Sequence, residues 1–282
     1  MTGRRPLRGM SINVLIPNML TVGALCAGLT AIRFAQQAQW EAAAFAVALA
    51  AVFDGLDGRM ARLLKSSSKF GAELDSLSDV VSFGVAPAMV LYFWTMQSAD
   101  PFGWGPVMLY AVCCALRLAR FNTALDAAPP KWAENFFVGV PAPMAAGLVL
   151  LPLVMSFVTD AALFSHPAFV TLFLAGVSIL MVSKVPTFAF KKGRIPARFV
   201  LPFLLGVGLF AAFLVNTPWA TLALFLTGYL ISIPVAIRTY RKRQRQSEQG
   251  GIPDDDDGID DDSEETEVSI PGNPSVSDKN TI

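Results

Sequence analysis

The sequence predicts an all-α integral membrane protein with about eight transmembrane helices. Three observations predict it. Hydrophobic residues make up 54% of the 282 and charged residues only 16%, against roughly 45–50% and about 25% in soluble domains. Apolar stretches long enough to cross a bilayer, which takes roughly 17–25 residues, recur along the chain. The basic residues, finally, collect in every second connection between those stretches.

The stretches lie near 13–35, 40–62, 76–97, 103–121, 140–159, 166–186, 198–215 and 218–238. Residues 1–12 precede them as a polar segment carrying Arg4, Arg5 and Arg8. The first apolar run is too long for a signal peptide, and no small-residue cleavage site follows it. Arg59, Arg62, Lys65 and Lys69 close the second stretch; Arg117, Arg120 and Lys131 follow the fourth. Lys184, Lys191, Lys192, Arg194 and Arg198 follow the sixth, and Arg238, Arg241, Lys242, Arg243 and Arg245 end the eighth. With Lys279, 21 of the 22 basic residues fall on one side, Arg33 being the exception. The opposite connections, around 36–40, 97–102, 160–167 and 216–218, hold no Lys or Arg. Because cytoplasmic loops carry the Lys/Arg excess, both termini are expected in the cytoplasm of a multi-pass protein of the cell (inner) membrane.

The formal net charge is zero, which excludes a nucleic-acid binder, since that needs a basic excess. The zero is a cancellation. Residues 1–247 carry +11 and residues 248–282 carry −11. The chain therefore divides into the N-terminal segment 1–12, a transmembrane domain 13–245 and an acidic cytoplasmic tail 246–282. The tail has the runs Asp254–Asp257 and Asp260–Asp262 and few apolar residues, so it is expected to be disordered. A calcium-binding loop would need regular ligand spacing and a closing Glu, which these runs lack. Cys26, Cys113 and Cys114 sit in apolar runs without the spacing of a zinc site. The one histidine, His166, lies between Ser165 and Pro167 in a short break and reads as a loop residue rather than a catalytic one.

Ionisable groups inside spans are costly and mark function. Asp54, Asp57, Asp75 and Asp79 stand out. Asp54 and Asp57 are three apart, on one face of the second helix, and Asp75 and Asp79 are four apart, on one face of the third. A short basic connection makes those helices antiparallel neighbours, so four carboxylates converge just inside the cytoplasmic surface. Divalent cations remove their mutual repulsion; hard Mg²⁺ or Mn²⁺ suits all-oxygen ligands. Paired ions of this kind serve displacement at phosphorus. Gly55, Gly58 and Ala61 clear bulk from the same helix, letting a nucleotide lie on the backbone with Arg62 reaching a phosphate. Small residues in a span otherwise serve helix packing, and aspartates otherwise pair with Arg59 or Arg62. Four acids at these spacings exceed what two arginines need.

The pattern Asp-x-x-Asp-Gly-x-x-Ala-Arg, eight residues, Gly-x-x-x-Asp-x-x-x-Asp is filled by Asp54, Asp57, Gly58, Ala61, Arg62, Gly71, Asp75 and Asp79. It resembles the signature of the CDP-alcohol phosphatidyltransferases, and the resemblance covers roughly residues 10–240. It implies a six-helix membrane core, a homodimer, and a cytoplasmic site that moves a phosphatidyl group from a CDP-linked lipid to an alcohol. By the resemblance, the four aspartates hold Mg²⁺ or Mn²⁺, Asp79 doubles as general base, and Gly58, Ala61, Arg62 and Gly71 shape the CDP site. The transmembrane domain 13–245 is then catalytic.

The acceptor rests on other segments. Arg117–Asn122, Phe137–Pro143 and Pro17–Thr21 look like those of the family's serine-using members, with Asn18 and Thr21 touching the CDP-lipid. Serine carries a carboxylate, and Arg117 and Arg120, three apart, can face one pocket with Asn122 nearby. The same arginines could instead anchor a helix at anionic headgroups. The substrates expected are therefore CDP-diacylglycerol and L-serine. Choline, a cation, suits the arginines poorly, whereas glycerol phosphate would use them well. A transporter, the reading from another class, leaves the Gly-Ala-Arg part of the pattern without a reason.

Overall fold

The computed structural model describes residues 12–66, 68–99, 102–124, 136–159, 161–183, 185–188 and 197–248. The N-terminal segment, the connections holding Lys131, Lys184, Lys191, Lys192 and Arg194, and the acidic tail from 249 onward lie outside the described residues.

Each expected span is a helix. α1 (Ile12–Gln36) and α2 (Trp40–Leu63) pack along each other. Their contact is made of small residues at helical spacing. Ala24, Ala27, Ala31 and Ala35 are buried on α1, and Ala43, Ala46, Val47 and Ala50 on α2. Small side chains let two membrane helices approach closely, where dispersion rather than water exclusion holds them.

The third rod is composite. α3 (Lys69–Asp79) runs into a π-helical turn over Val80–Val85 and continues as α4 (Ala86–Trp94). It begins seven residues before the expected 76, because Ser68 caps it. The Ser68 hydroxyl accepts from the Gly71 backbone N–H at 2.9 Å, a standard N-cap. The helix expected to carry Asp75 and Asp79 thus extends back through the polar stretch before 76. α5 (Trp104–Ala124), α6 (Ala142–Val158), α7 (Pro167–Val182), α8 (Ala197–Asn216) and α9 (Pro218–Glu248) follow. His166 caps α7, its Nδ1 accepting from the Ala168 N–H at 3.3 Å. α9 runs past the expected end at 238, and residues 246–248, expected to open the tail, are its last turn. Lys, Arg, Gln and Glu are good helix formers, and nothing in that stretch breaks the helix.

Leu15–Gln36, Lys69–Trp94, Trp104–Thr123 and Pro218–Arg241 are long and apolar enough to cross a membrane. α6, α7 and the apolar part of α8 are shorter. Together they make a multi-pass, all-α membrane protein. The one departure among the described residues is a two-stranded antiparallel ribbon, β1 (Phe136–Val138) with β2 (Pro186–Phe188). It ties the entry of α6 to the exit of α7. Gly139 leaves it at φ +79°, and a Cβ there would stand 2.8 Å from the Met181 carbonyl oxygen, so only glycine fits.

Candidate functional site

α2 and α3 meet chiefly through α1, along which both pack. The wedge matters because α1 supplies polar groups to each. The Thr21 hydroxyl stands 2.7 Å from Asp57 Oδ2, while the Thr21 carbonyl accepts from the Ser78 hydroxyl at 3.1 Å. One residue of α1 therefore sets the height of α2 against α3.

α2 ends at a left-handed Lys65 (φ 48°), and Ser66 turns back with its N–H on the Ala61 carbonyl at 3.0 Å. This tight return, followed by the Ser68 cap, brings the two pairs of aspartates together. The carboxylate oxygens of Asp54, Asp57 and Asp75 lie within 4.8 Å of one another. The Asp79 carboxyl reaches hydrogen-bonding distance of Asp54. Asp57 is only 5% exposed, and Asp75 Oδ1 is buried without a hydrogen-bond partner among the described residues. Bare carboxylates so close and so poorly hydrated repel one another. Hard oxygen donors at this spacing, one of them orphaned, fit a divalent cation.

Beside the carboxylates opens a cleft of about 150 Å³. Asn18 and Thr21 line it from α1, Gly58 and Ala61 from α2, and Gly71 and Asp75 from α3. A Cβ on Gly58 would meet nothing within 4 Å, so this glycine serves the open space and not packing. Gly71 differs: its Cβ would stand 2.9 Å from Asn18 Oδ1. It admits α1 as much as a ligand. Ser66 and Ser68 also line the cleft, and Ser66 Oγ is buried with no partner among the described residues. Neither serine was singled out from the sequence. The run of three serines between Lys65 and Lys69 is the signal that could have found them.

The remaining expected residues stand apart from the cleft lining. Arg62 is exposed, its Nε donating to the Gly58 carbonyl at 3.0 Å. Arg117 and Arg120 diverge. Arg117 turns inward, near enough to Asp79 for their charges to interact, and its Nε has no hydrogen-bond partner. Arg120 is exposed and donates from Nη1 to the Val182 carbonyl at 3.1 Å, closing the C-terminal end of α7. Asn122 donates to the Ser76 hydroxyl at 2.9 Å, joining α5 to the helix that carries Asp75 and Asp79.

Residues 14–182 match the family model described as CDP-alcohol phosphatidyltransferase, and residues 198–234 a second one, CDP-alcohol phosphatidyltransferase 2. The chain is 42% identical over 239 residues to the CDP-diacylglycerol–serine O-phosphatidyltransferase of Mycobacterium leprae, covering 84% of this chain and 79% of that protein. The protein so named in Helicobacter pylori is 33% identical over 217 residues, 77% of this chain and 88% of its own. In Bacillus subtilis the figures are 33% over 177 residues, 63% of this chain and 92% of the relative.

Proposed function

The chain belongs to the CDP-alcohol phosphatidyltransferase family, and from that premise we propose that it transfers the phosphatidyl group of CDP-diacylglycerol to the hydroxyl of L-serine, giving phosphatidylserine and CMP. The observation that carries the chemistry is the carboxylate cluster of Asp54, Asp57 and Asp75, with Asp79 against Asp54 and the cleft alongside. The identity of the relatives carries the acceptor.

Asp54, Asp57, Asp75 and Asp79 are the residues that hold the cation, Mg²⁺ or Mn²⁺. When bound, it neutralises the diphosphate and stabilises the charge on the departing CMP. The chain's own groups do the rest. Thr21 fixes the Asp57 carboxylate through its hydroxyl. Gly58 and Ala61 leave room for the nucleotide against the α2 backbone, and Asn18 and Ser66 offer it polar contacts from the other walls, where Gly71 adds no bulk. Arg62 lies one turn beyond Gly58, as a counter-charge for phosphate. Asp79 takes the proton of the incoming hydroxyl. The freed oxygen attacks the phosphorus bearing diacylglycerol, and the bond to CMP breaks. Arg117, beside Asp79, meets the serine carboxylate; Arg120 and Asn122, expected with it, instead hold α5 to the end of α7 and to α3. The lipid tails never leave the bilayer, which is why the site is built on membrane helices.

Arg59, Arg62, Lys65 and Lys69 fall in the stretch that joins the cleft-lining parts of α2 and α3. By the Lys/Arg bias this side faces the cytoplasm of the inner membrane, and the protein acts there as a homodimer. The test uses the purified full chain in detergent with CDP-diacylglycerol, Mg²⁺ or Mn²⁺, and serine, glycerol phosphate or choline, following CMP. Serine is expected to release CMP, and a chelator to stop it until metal is restored. No CMP with any alcohol overturns the reading, and release with glycerol phosphate but not serine overturns the acceptor.

A further inference from the structure

Seven polar or charged side chains are buried among the described residues. Three are satisfied close to home. Ser178 and Thr221 donate to carbonyls four residues back, at 2.7 and 2.9 Å. Thr187 donates to the Gly139 carbonyl beside its own ribbon at 3.0 Å. The other four, Thr21, Asp57, Ser78 and Ser82, are bonded across helices. Ser78 and Ser82 of the third rod donate to the Thr21 and Ala24 carbonyls of α1, each at 3.1 Å. Thr21 in turn reaches Asp57 of α2. Buried hydroxyls that bridge membrane helices thus gather at the carboxylate cluster.

The Thr21 hydroxyl has one proton and two acceptors within reach. The Pro17 carbonyl stands at 3.1 Å and Asp57 Oδ2 at 2.7 Å. The carboxylate is charged and nearer, so it is the stronger acceptor. A continuous series results, from Asp57 through the side chain and carbonyl of Thr21 to Ser78. Ser78 lies between Asp75 and Asp79 in sequence. The series therefore starts on one pair of carboxylates and ends on the helix that carries the other. Since α2 and α3 meet chiefly through α1, this series, rather than direct packing, sets the span between the pairs.

We infer that Thr21 and Ser78 are positioning residues for the cation: by bracing the two carboxylate pairs at a fixed span, they make the site favour Mg²⁺ or Mn²⁺ over Ca²⁺. This deepens the reading above and rests on its cation. Mg²⁺ asks for oxygens at about 2.0–2.1 Å in near-octahedral order, whereas Ca²⁺ takes about 6–8 oxygens at about 2.3–2.6 Å in looser geometry. Site size and flexibility decide between such ions. Oxygens of Asp54, Asp57 and Asp75 already lie within 4.8 Å of one another, and a braced cluster cannot spread to suit the larger ion.

The test follows Mn²⁺ binding to the full chain in detergent by electron paramagnetic resonance, with Ca²⁺ as competitor. In the unsubstituted protein Ca²⁺ should displace Mn²⁺ only in large excess. Ser78→Ala removes the brace on α3, and the excess of Ca²⁺ required should fall about tenfold or more. Thr21→Val keeps the shape and removes the bond to Asp57. Its Kd for Mn²⁺ should rise about 10–100-fold, as for other groups that orient a metal ligand, and Thr21→Ser should restore it. An unchanged balance of Ca²⁺ against Mn²⁺ in Ser78→Ala overturns the inference. So does an equal loss of both ions in that variant, which marks a packing role. Equal behaviour of Thr21→Val and Thr21→Ser overturns it for the hydroxyl. Failure of the unsubstituted protein to bind Mn²⁺ is a different result: it overturns the cation of the proposed function, and this inference with it.

Discussion

Asp57 shows how single residues are made to work in this site. It is nearly fully buried, and its neutral donors are the Thr21 hydroxyl and the Gly58 backbone N–H. A carboxylate so placed is tolerable only with a cation beside it. Asp79 has a separate task, and Asp79→Asn tests it. The amide keeps size and loses the basic oxygen, so turnover should fall by about 10²–10⁴-fold, while CDP-lipid binding, followed by equilibrium dialysis or quenching, persists. Near-normal turnover removes Asp79 as base. Gly58→Ala separates cleft from packing. A Cβ there meets nothing within 4 Å, so melting in detergent should be unchanged while the KM for CDP-diacylglycerol rises. A lowered melting temperature with an unaltered KM would return Gly58 to a packing role. The aspartates and Gly58 were legible in the sequence because spacing puts them on shared faces, whereas Gly71 was legible only through the resemblance to the family signature. Ser66 was not, since its meaning depends on neighbours that only the folded chain supplies. Arg117 and Arg120 show the limit from the other side. Three-residue spacing put them on one face, yet one turns toward Asp79 and the other closes α7.

Among the elements, the composite third rod has the most demanding construction. Its π turn begins immediately after Asp79. Such turns widen the helix by one residue and leave backbone groups in need of partners. Tyr110 of α5, fully buried, donates to the Phe83 carbonyl at 2.9 Å, and Ser82 donates to the Ala24 carbonyl of α1 at 3.1 Å. Gly28 makes the second contact possible, for a Cβ there would stand 2.8 Å from Ser82 Cα. The turn is thereby locked between α1 and α5, and with it the direction of Asp79. Tyr110→Phe should cost about 1 kcal/mol or more of stability and lower kcat more than it raises either KM; unchanged kcat would show that the turn does not aim the base. Hydropathy made the eight helices legible. It missed the start of the third, where a polar signature is itself helical, and the end of α9, where charge does not stop a helix. It gave no hint of the π turn, which has no composition of its own, nor of three-residue strands.

Taken as a whole, the molecule concentrates its chemistry at one end of an apolar bundle and its acidic charge beyond the last helix. Every residue placed at the site lies between Pro17 and Asn122, and the acids from Asp254 onward lie outside that interval. A chain ending at Glu248 should keep its CMP release and its integration into membranes, checked by assay and alkaline extraction; loss of either assigns the tail a task. The wedge of α1 between α2 and α3 has a further consequence, in time. The residues lining the cleft and the aspartates beside it all precede Val80, so that side of the site is complete once the first part of the chain has been synthesised and inserted. Arg117, placed at the acceptor, emerges only later, with α5. A half-made chain would therefore possess a place for the lipid donor before it has one for the alcohol, and translation itself sets the order in which the two halves of the enzyme come into being.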